Sequence, residues 1–546
     1  MPVMATRSEA AYPLAWKDGR VASYLVTVDH KRIGKLYIGS AILFLALGGL
    51  LALLMSVQLA TPNNDFLGAG SFYEVMTMHG TTMVFLVAVP LIAGLGSFLV
   101  PLMIGARNVA FPRLNAFSYW LFLLGGIVLW LSWFADGGTA HAAWWSYPTL
   151  YETLPWTVTS HGPDYWIFAL QILSLSSAFT AINFIVTIRN LRTDGMTWRN
   201  TPVFVRAMQL YSILLLVAAA TVGAAVTLLL LDRHEGTHFF LPSDGGPFLL
   251  HHRVFWFVGR PVVYLLFIPA LGIVVEVLSV FLPKRVVSRT IVALSALGVA
   301  VVSALVLIHY VASSAPGIGL EGWILVSSMI LAVPFAFTVV DARGLKGGAP
   351  TLFALGFLTL FALGGVTGLL TAAFVGHAGW NFTFYTDAYF HHVELGGILF
   401  AAFAGLYFWW PKMFGRMLDQ RLAKAHFGLM LVGFLLALFP LFLLGRLGTP
   451  SRIDTYADGG KSEAYHAIAT AGTVVAVIAF LVFVANVWIS HGLRKGVRVG
   501  NDPWMADTLE WYAASPPPPH NFDSLPPVTS AQPLRDLRER LAAEAL

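Results

Sequence analysis

Long apolar stretches alternate with short polar ones along almost the whole chain. A helix that crosses a bilayer needs about 20 mostly apolar residues, and twelve segments meet this requirement. The pattern predicts an all-α integral membrane protein, with a twelve-helix membrane domain over residues 36–489. A polar N-terminal segment, 1–35, precedes it and a Pro-rich tail, 490–546, follows it. The predicted spans are Leu36–Leu59, Met78–Met103, Ser118–Phe134, Asp164–Ile188, Leu210–Leu231, Val254–Phe281, Ile291–Ala312, Glu321–Val340, Leu352–Phe374, Thr386–Trp410, Phe427–Leu444 and Ala464–Ile489.

The composition narrows the class of protein. Hydrophobic residues make up 57% of the 546 residues and charged residues 11%, against about 25% charged in a typical soluble domain. Such a chain cannot cover a water-facing surface of ordinary polarity. This composition excludes a soluble enzyme, a disordered chain and a nucleic-acid binder. It indicates that the chain lies in a lipid bilayer. The chain has no Cys, so thiolate metal sites and iron–sulfur clusters are excluded.

The placement of Lys and Arg predicts the orientation. Cytoplasmic loops carry the excess of basic residues in membrane proteins. With the N-terminus in the cytoplasm, alternation places 27 of the 33 basic residues on the cytoplasmic side and 5 outside. Both termini are therefore expected in the cytoplasm. The single exception is Arg260, which lies inside a predicted span.

Ionisable residues inside spans are costly and mark functional sites by default. Neutral imidazole is a common metal and haem ligand, so several His on different spans favour a cofactor within the bundle. The residues in question are His79, Arg260, Glu276, His309 with Tyr310, His391, His392, Glu394 and His466.

Four long motifs resemble subunit I of the haem–copper oxidases. They are "MTMHGTTMVFLVAVPLIAGLGSFLVPLMIGARNVAFPRLNAFSYWL", "FWFVGRPVVYLLFIPALGIV", "YFHHVELGGILFAAFAGLYFWWPKMFG" and "TLEWYAASPPPPHNFDSLPPV". The resemblance implies the family's twelve-helix bundle and a low-spin haem held by His79 and His391. It also implies that Arg452 lies near the haem propionates, although Ser451 replaces the second Arg of the family's pair. Ser56 stands where the family has a haem-contacting Arg, which leaves haem A and haem B open.

The resemblance breaks down at the family's oxygen-reducing centre. Tyr389 stands at the position of the high-spin haem ligand, Arg260 at the first copper ligand and Tyr310 at the last; only His309 remains. A guanidinium offers no lone pair to a metal, so copper is predicted to be absent. Tyr264 is retained, but the His to which the family's tyrosine is cross-linked is Arg260 here.

The family's proton-path and magnesium positions are altered as well. A second haem could still be held by His392, three residues after Tyr389 and roughly on the same helical face, or by Tyr389 itself through a phenolate. Arg260 and Glu394 could form a buried pair, while the role of Glu276 stays open. The substituted positions are Val262, Asn108 and Thr338 in the proton routes and Asn381 and Phe382 at the magnesium site.

These features predict a subunit I-like haemoprotein of a bacterial inner-membrane respiratory complex, without its own oxygen reduction or proton pumping. It would transfer electrons or support assembly beside subunit II- and III-like partners. Electrons would arrive from cytochrome c or quinol through another subunit, because the chain has no haem c motif. Two alternatives stand beside this interpretation: an active terminal oxidase or nitric oxide reductase with unusual ligands, and a non-catalytic scaffold.

Overall fold

Ten long helices form the part of the chain that the computed structural model describes, namely residues 22–144, 160–240, 250, 254, 261–281, 347–378, 383–457 and 460–545. We number them in chain order. They are α1 (His30–Gln58), α2 (Ala69–Met103), α3 (Pro112–Phe134), α4 (Gly162–Asn190), α5 (Val203–His234), α6 (Pro261–Phe281), α7 (Gly348–Ala378), α8 (Phe384–Phe414), α9 (Gln420–Arg446) and α10 (Lys461–Gly492). A shorter helix in the tail, α11, spans Pro533–Glu544.

Eight of these helices (α1 to α5 and α8 to α10) are long and apolar enough to cross a membrane, and the fully described parts of α6 and α7, Leu265–Phe281 and Gly348–Gly364, are apolar as well. The prediction of an all-helical membrane protein is therefore confirmed. The count of twelve spans stays a prediction, because two of them, Ile291–Ala312 and Glu321–Val340, lie outside the described residues. Within those residues the only β-type pairings are two isolated bridges, Thr383–Pro450 and Arg416–Arg498.

Local sequence explains where several helices begin and end. The Asp29 side chain accepts a hydrogen bond from Lys31 N at the start of α1. Asp419 does the same for Arg421 and Leu422 at the start of α9. Such side chains satisfy backbone N–H groups that have no partner within the helix. Helix α8 ends at Gly415, whose φ of +69° is the left-handed conformation that favours glycine at a helix end.

Helices α2 and α8 lie at the centre of the bundle. Nearly all side chains in their apolar stretches are buried, whereas α1, α5, α9 and α10 leave most of theirs exposed or only partly buried. Exposed apolar side chains such as Leu43, Val217, Phe439 and Leu481 lie on these outer helices. In a membrane such faces contact lipid or other helices. The two central helices are also the ones that carry His79 and His391.

The C-terminal tail packs against the ends of the membrane helices. Asn521 accepts a hydrogen bond from Lys31 Nζ at 2.7 Å and donates one to the Ala106 carbonyl at 2.8 Å. His30 contacts the same amide and also donates to the Ser97 carbonyl at 2.8 Å. The tail thereby joins the start of α1 to the end of α2.

A second anchor of the tail lies beneath the end of α8. Lys412, fully buried, donates to the Ala513 carbonyl, and its ammonium lies 5.3 Å from the centre of the Trp511 ring. Sequence alone placed Lys412 in a loop and Lys31 in the N-terminal segment. Both lie at helix ends with almost no exposed surface, so neither is a solvated loop cation. Their buried amines are satisfied by the tail.

Glu510 is the buried acid of this second anchor. Its Oε1 accepts hydrogen bonds from Thr508 Oγ1 at 2.8 Å and Trp409 Nε1 at 3.2 Å. Burial and the nearby Glu276 carboxylate raise the pKa of Glu510 from 4.5 to about 7. A carboxyl whose pKa is higher in the folded than in the unfolded chain stabilises the fold in its protonated form.

We therefore expect the docked tail to be most stable below about pH 4.5 and to lose stability as the pH rises towards 7. Glu510→Gln, which keeps a neutral side chain of the same shape, should flatten this slope. The measurement is limited proteolysis of the tail in detergent-solubilised protein between pH 4.5 and 8. Asp523→Asn, an exposed tail variant, is the matched control. An unchanged slope in Glu510→Gln would show that the carboxyl does not control docking.

Candidate functional site

His79 lies in α2, one residue before Gly80 and three before a π-helical turn, Thr82–Ala88. Its Nδ1 donates a hydrogen bond to the Gly48 carbonyl of α1 at 2.8 Å. Among the described residues, Nε2 has no hydrogen-bond partner. The ring is thus fixed in one tautomer, with its Nε2 lone pair free for another ligand.

His391 repeats this arrangement on α8. Its Nδ1 donates to the Asp387 carbonyl one turn earlier at 2.7 Å, and a π-helical turn, His391–Gly396, begins at the residue itself. Single π-helical turns within α-helices occur frequently at functional sites. In the described part of the chain, the Nε2 of His391 also has no hydrogen-bond partner. Its imidazole is close enough to act electrostatically on that of His79.

An apolar cluster packs beside this region. Trp144, from the loop after α3, packs with Phe85 of α2, Ala225 of α5 and Phe390 of α8. The Trp144 ring lies directly against Gly80, where an added Cβ would approach its Cδ1 to 3.0 Å. Glycine after His79 therefore lets this loop close over the helix. The cluster joins the helices that carry His79 and His391.

Arg452 belongs to a segment that backbone pairing holds at the start of α8. The Phe384 amide donates to the Thr449 carbonyl at 3.2 Å, and Thr383 pairs with Pro450. Arg452 itself has a φ of +64°, an uncommon conformation for a residue with a side chain. The segment that carries Arg452 is thus fixed beside the start of the His391 helix.

Asp387 is a residue of this region that the sequence interpretation missed. It lies one turn before His391 in α8, and the groups that act electrostatically on its carboxylate are Arg452 and His391. A carboxylate four residues before a candidate ligand, at the start of a predicted span, is the signal that could have identified it. Its charge partner is remote in sequence and could not be read from the pattern.

His392 and Tyr389 lie in a different environment. The His392 ring is buried and packs 5.1 Å from that of Phe442 in α9. Its Nδ1 donates to the Ala388 carbonyl at 2.8 Å, and within the described chain its Nε2 has no hydrogen-bond partner. Tyr389 packs against the neighbouring cluster of Tyr385, Ala388 and Phe442. Both residues thus face α9 side chains, and a role for either as a haem ligand stays a prediction.

The structure describes only some of the other positions that the sequence singled out. Ser56 bonds to Thr473 Oγ1 of α10 at 3.0 Å. Glu276 accepts a hydrogen bond from the Phe204 amide at 3.1 Å and so holds α6 against the start of α5. Asn108 bonds to the backbone of its own loop. Outside the described residues or side chains lie Arg260, Val262, Tyr264, His309, Tyr310, Thr338, Asn381, Phe382 and Glu394.

Comparison with known proteins identifies the class of protein to which this bundle belongs. The family model described as "Cytochrome C and Quinol oxidase polypeptide I" matches residues 32–484. The chain therefore belongs to this family of membrane-embedded oxidase subunits, and members of the haem–copper oxidase family bind haem. The predicted resemblance is confirmed.

Particular relatives agree with this assignment. Cytochrome c oxidase subunit 1 of Bacillus subtilis is 39% identical over 519 residues, which cover 94% of this chain and 82% of the relative. Quinol oxidase subunit 1 of the same organism is 36% identical, with coverage of 95% and 80%. A cryo-EM structure of a heme-copper terminal oxidase dimer shares the fold, with a TM-score of 0.66, 19% identity and 85% coverage of both chains.

Proposed function

We propose that this chain is a haem–copper oxidase subunit I homologue, a twelve-helix bundle that keeps a bis-His low-spin haem and lacks the copper and oxygen-reducing centre. The observation that supports it is the matched pair of imidazoles. His79 and His391 each donate Nδ1–H to a backbone carbonyl and leave Nε2 without a partner in the described chain.

The residues of this region fit a haem of A or B type. His79 and His391 would hold the haem iron through their Nε2 nitrogens, and Arg452 would lie near the propionates. Such a haem supplies reversible one-electron transfer, and two imidazole ligands leave no open position for oxygen. The chain's own contribution is to hold both rings in one tautomer through the Gly48 and Asp387 carbonyls. Trp144 packs against Gly80, next to His79, and the Phe390 ring lies 5.6 Å from that of His391.

Substitutions at the family's second centre support the loss of oxygen chemistry. Three of its four ligand positions carry Arg260, Tyr310 and Tyr389, and His309 alone would hold copper poorly. Arg260 adds a permanent positive charge where the family binds a cation, which would oppose copper binding directly. Tyr264 then has no His with which to form the family's cross-link.

We infer that the chain works within a multi-subunit complex of the bacterial inner membrane, with both termini in the cytoplasm. Relatives such as the Bacillus subtilis subunit are bacterial, and the basic residues favour this orientation. Subunit II- and III-like partners would cover part of the exposed apolar faces. Cytochrome c or quinol would deliver electrons through such a partner.

Metal and haem content tests this proposal. Gently purified protein is expected to contain about one haem per chain and no copper above background. The haem type follows from its pyridine haemochrome spectrum. Copper at a stoichiometric level with two haems would support an active oxidase or nitric oxide reductase instead. Protein that contains no haem would support the scaffold alternative.

A further inference from the structure

A short basic turn follows α10 and is held rigidly against the membrane bundle. We call residues 493–498 the basic hairpin. Its backbone bonds to α10 through Lys495 N to Ile489 O at 3.2 Å and Gly496 N to Ser490 O at 2.9 Å. Arg416, after α8, donates from one guanidinium nitrogen to the carbonyls of Arg494 and Gly496, each at 2.8 Å. The hairpin is therefore an ordered part of the fold.

Glycine is required at the centre of this turn. A Cβ on Gly496 would lie 2.4 Å from the Met417 carbonyl oxygen and 2.8 Å from that of Ser490. Arg494 has a φ of +57°, in the left-handed region. The chain thus adopts a tight turn here that directs neighbouring side chains outward, away from the bundle.

The side chains of the basic hairpin form an exposed cluster of positive charge. Arg494, Lys495 and Arg498 are exposed, and so are Arg421 and Lys424 in the first turns of the adjacent α9. Among the described residues, no carboxylate lies within 4 Å of any of these five cations. The cluster therefore carries net charge that nothing in the described part of the chain neutralises.

The nearest acidic residue along α9, Asp419, offsets at most one of these five positive charges. Asp419 is committed to the helix start, where its carboxylate accepts the Arg421 and Leu422 amides. On the other side, Lys35 of α1 lies over the Phe414 ring, which in turn packs against His491. Lys35 and Arg416 both act electrostatically on His491, so the positive region extends beneath the hairpin.

Apolar side chains are interleaved with these cations. Leu493 is 51% exposed and Val497 is 70% exposed. Trp488, just over one turn earlier on α10, is 55% exposed. Trp is enriched at membrane–water interfaces, and a Trp at the end of a span places this level at the headgroup region. Leu493 and Val497 follow Trp488 at the end of the span and then lie at the same interfacial level as the cations.

We propose that the basic hairpin binds the headgroups of anionic phospholipids in the leaflet that borders it. The combination of unneutralised cations, exposed apolar side chains and a rigid backbone at the end of a span matches a charged lipid surface. An acidic protein or a nucleic acid would use the cations but would leave Leu493 and Val497 in water. Basic residues near a negatively charged leaflet each favour binding to it.

The absence of Cys from the chain allows a site-specific test. Val497→Cys carries a single bimane label, and the full-length protein is placed in nanodiscs that contain doxyl-labelled phosphatidylglycerol or doxyl-labelled phosphatidylcholine. Half-maximal quenching should require a mole fraction of labelled phosphatidylglycerol about fivefold lower than that of labelled phosphatidylcholine. This preference should shrink at high salt, which screens the charges.

Arg494→Gln, Lys495→Gln and Arg498→Gln, introduced together, should reduce the preference for phosphatidylglycerol roughly twofold or more; Arg421 and Lys424 keep their charge and can hold a remainder. The control changes three other exposed basic residues, Arg189, Arg199 and Arg540, to Gln and should leave the preference intact. Equal quenching by both lipids in the parent protein would overturn the proposal. So would the absence of quenching by either lipid, which would place the hairpin in water or against a protein, and so would a preference that the triple change leaves undiminished.

Discussion

His391→Ala is expected to remove the low-spin haem from the purified protein. The His391 imidazole is oriented by the Asp387 carbonyl at 2.7 Å, and an Ala at this position offers no nitrogen to the iron. Haem per chain should fall roughly tenfold or more, because one of two axial bonds is lost along with its fixed orientation. The measurement is the haem-to-protein ratio after size-exclusion chromatography. His79→Ala should have the same effect.

His392→Ala is the matched control, since it removes the neighbouring imidazole. Its ring packs on Phe442 and donates to the Ala388 carbonyl, so its loss should lower stability while the low-spin spectrum remains. Retention of a normal low-spin spectrum by His391→Ala would contradict the assignment of that ligand. Loss of a separate haem in His392→Ala would instead assign a second haem to His392.

Asp387→Asn is expected to raise the reduction potential of the bound haem. The carboxylate lies in the same turn as His391 and interacts electrostatically with that imidazole and with Arg452. A negative charge stabilises the oxidised iron. For a fully ionised carboxylate at an assumed separation of about 10 Å and an effective dielectric of ~20, the change would be at most roughly 1.7 kcal/mol, or about 70 mV for one electron.

Redox titration of the purified variant measures this change. Asp387→Glu, which retains the charge, should shift the potential much less than Asp387→Asn. An unchanged potential in Asp387→Asn would mean that its carboxylate carries no charge that the haem senses. The unaltered spectrum of both variants would show that the axial ligands are still in place.

The sequence predicts where the helices lie along the chain better than it predicts which residues contact one another. Apolar length alone locates α1 to α5, and Asp29 and Asp419 mark two helix starts, because these signals are local. His79 and His391 stand out because an imidazole within a span is rare. The tail contacts could not be predicted, since Lys412 and Trp511 lie about a hundred residues apart.

The details of the candidate site were hidden for the same reason. The acceptor for His79 is a backbone carbonyl, at Gly48, and any residue type supplies a carbonyl. Asp387 gains its meaning only from Arg452, which reaches α8 through a loop after α9. Side-chain patterns along one helix identify the candidate ligands, whereas Gly48 and Arg452 come from other segments.

We infer that this subunit keeps an electron-transfer haem and has lost the oxygen-reducing centre. A reduced-plus-CO minus reduced difference spectrum of the purified protein tests it most directly. Two imidazoles saturate the low-spin iron, so the account predicts a normal reduced-minus-oxidised spectrum and no change on addition of CO. A reversible CO difference spectrum from a high-spin haem, together with stoichiometric copper, would contradict it.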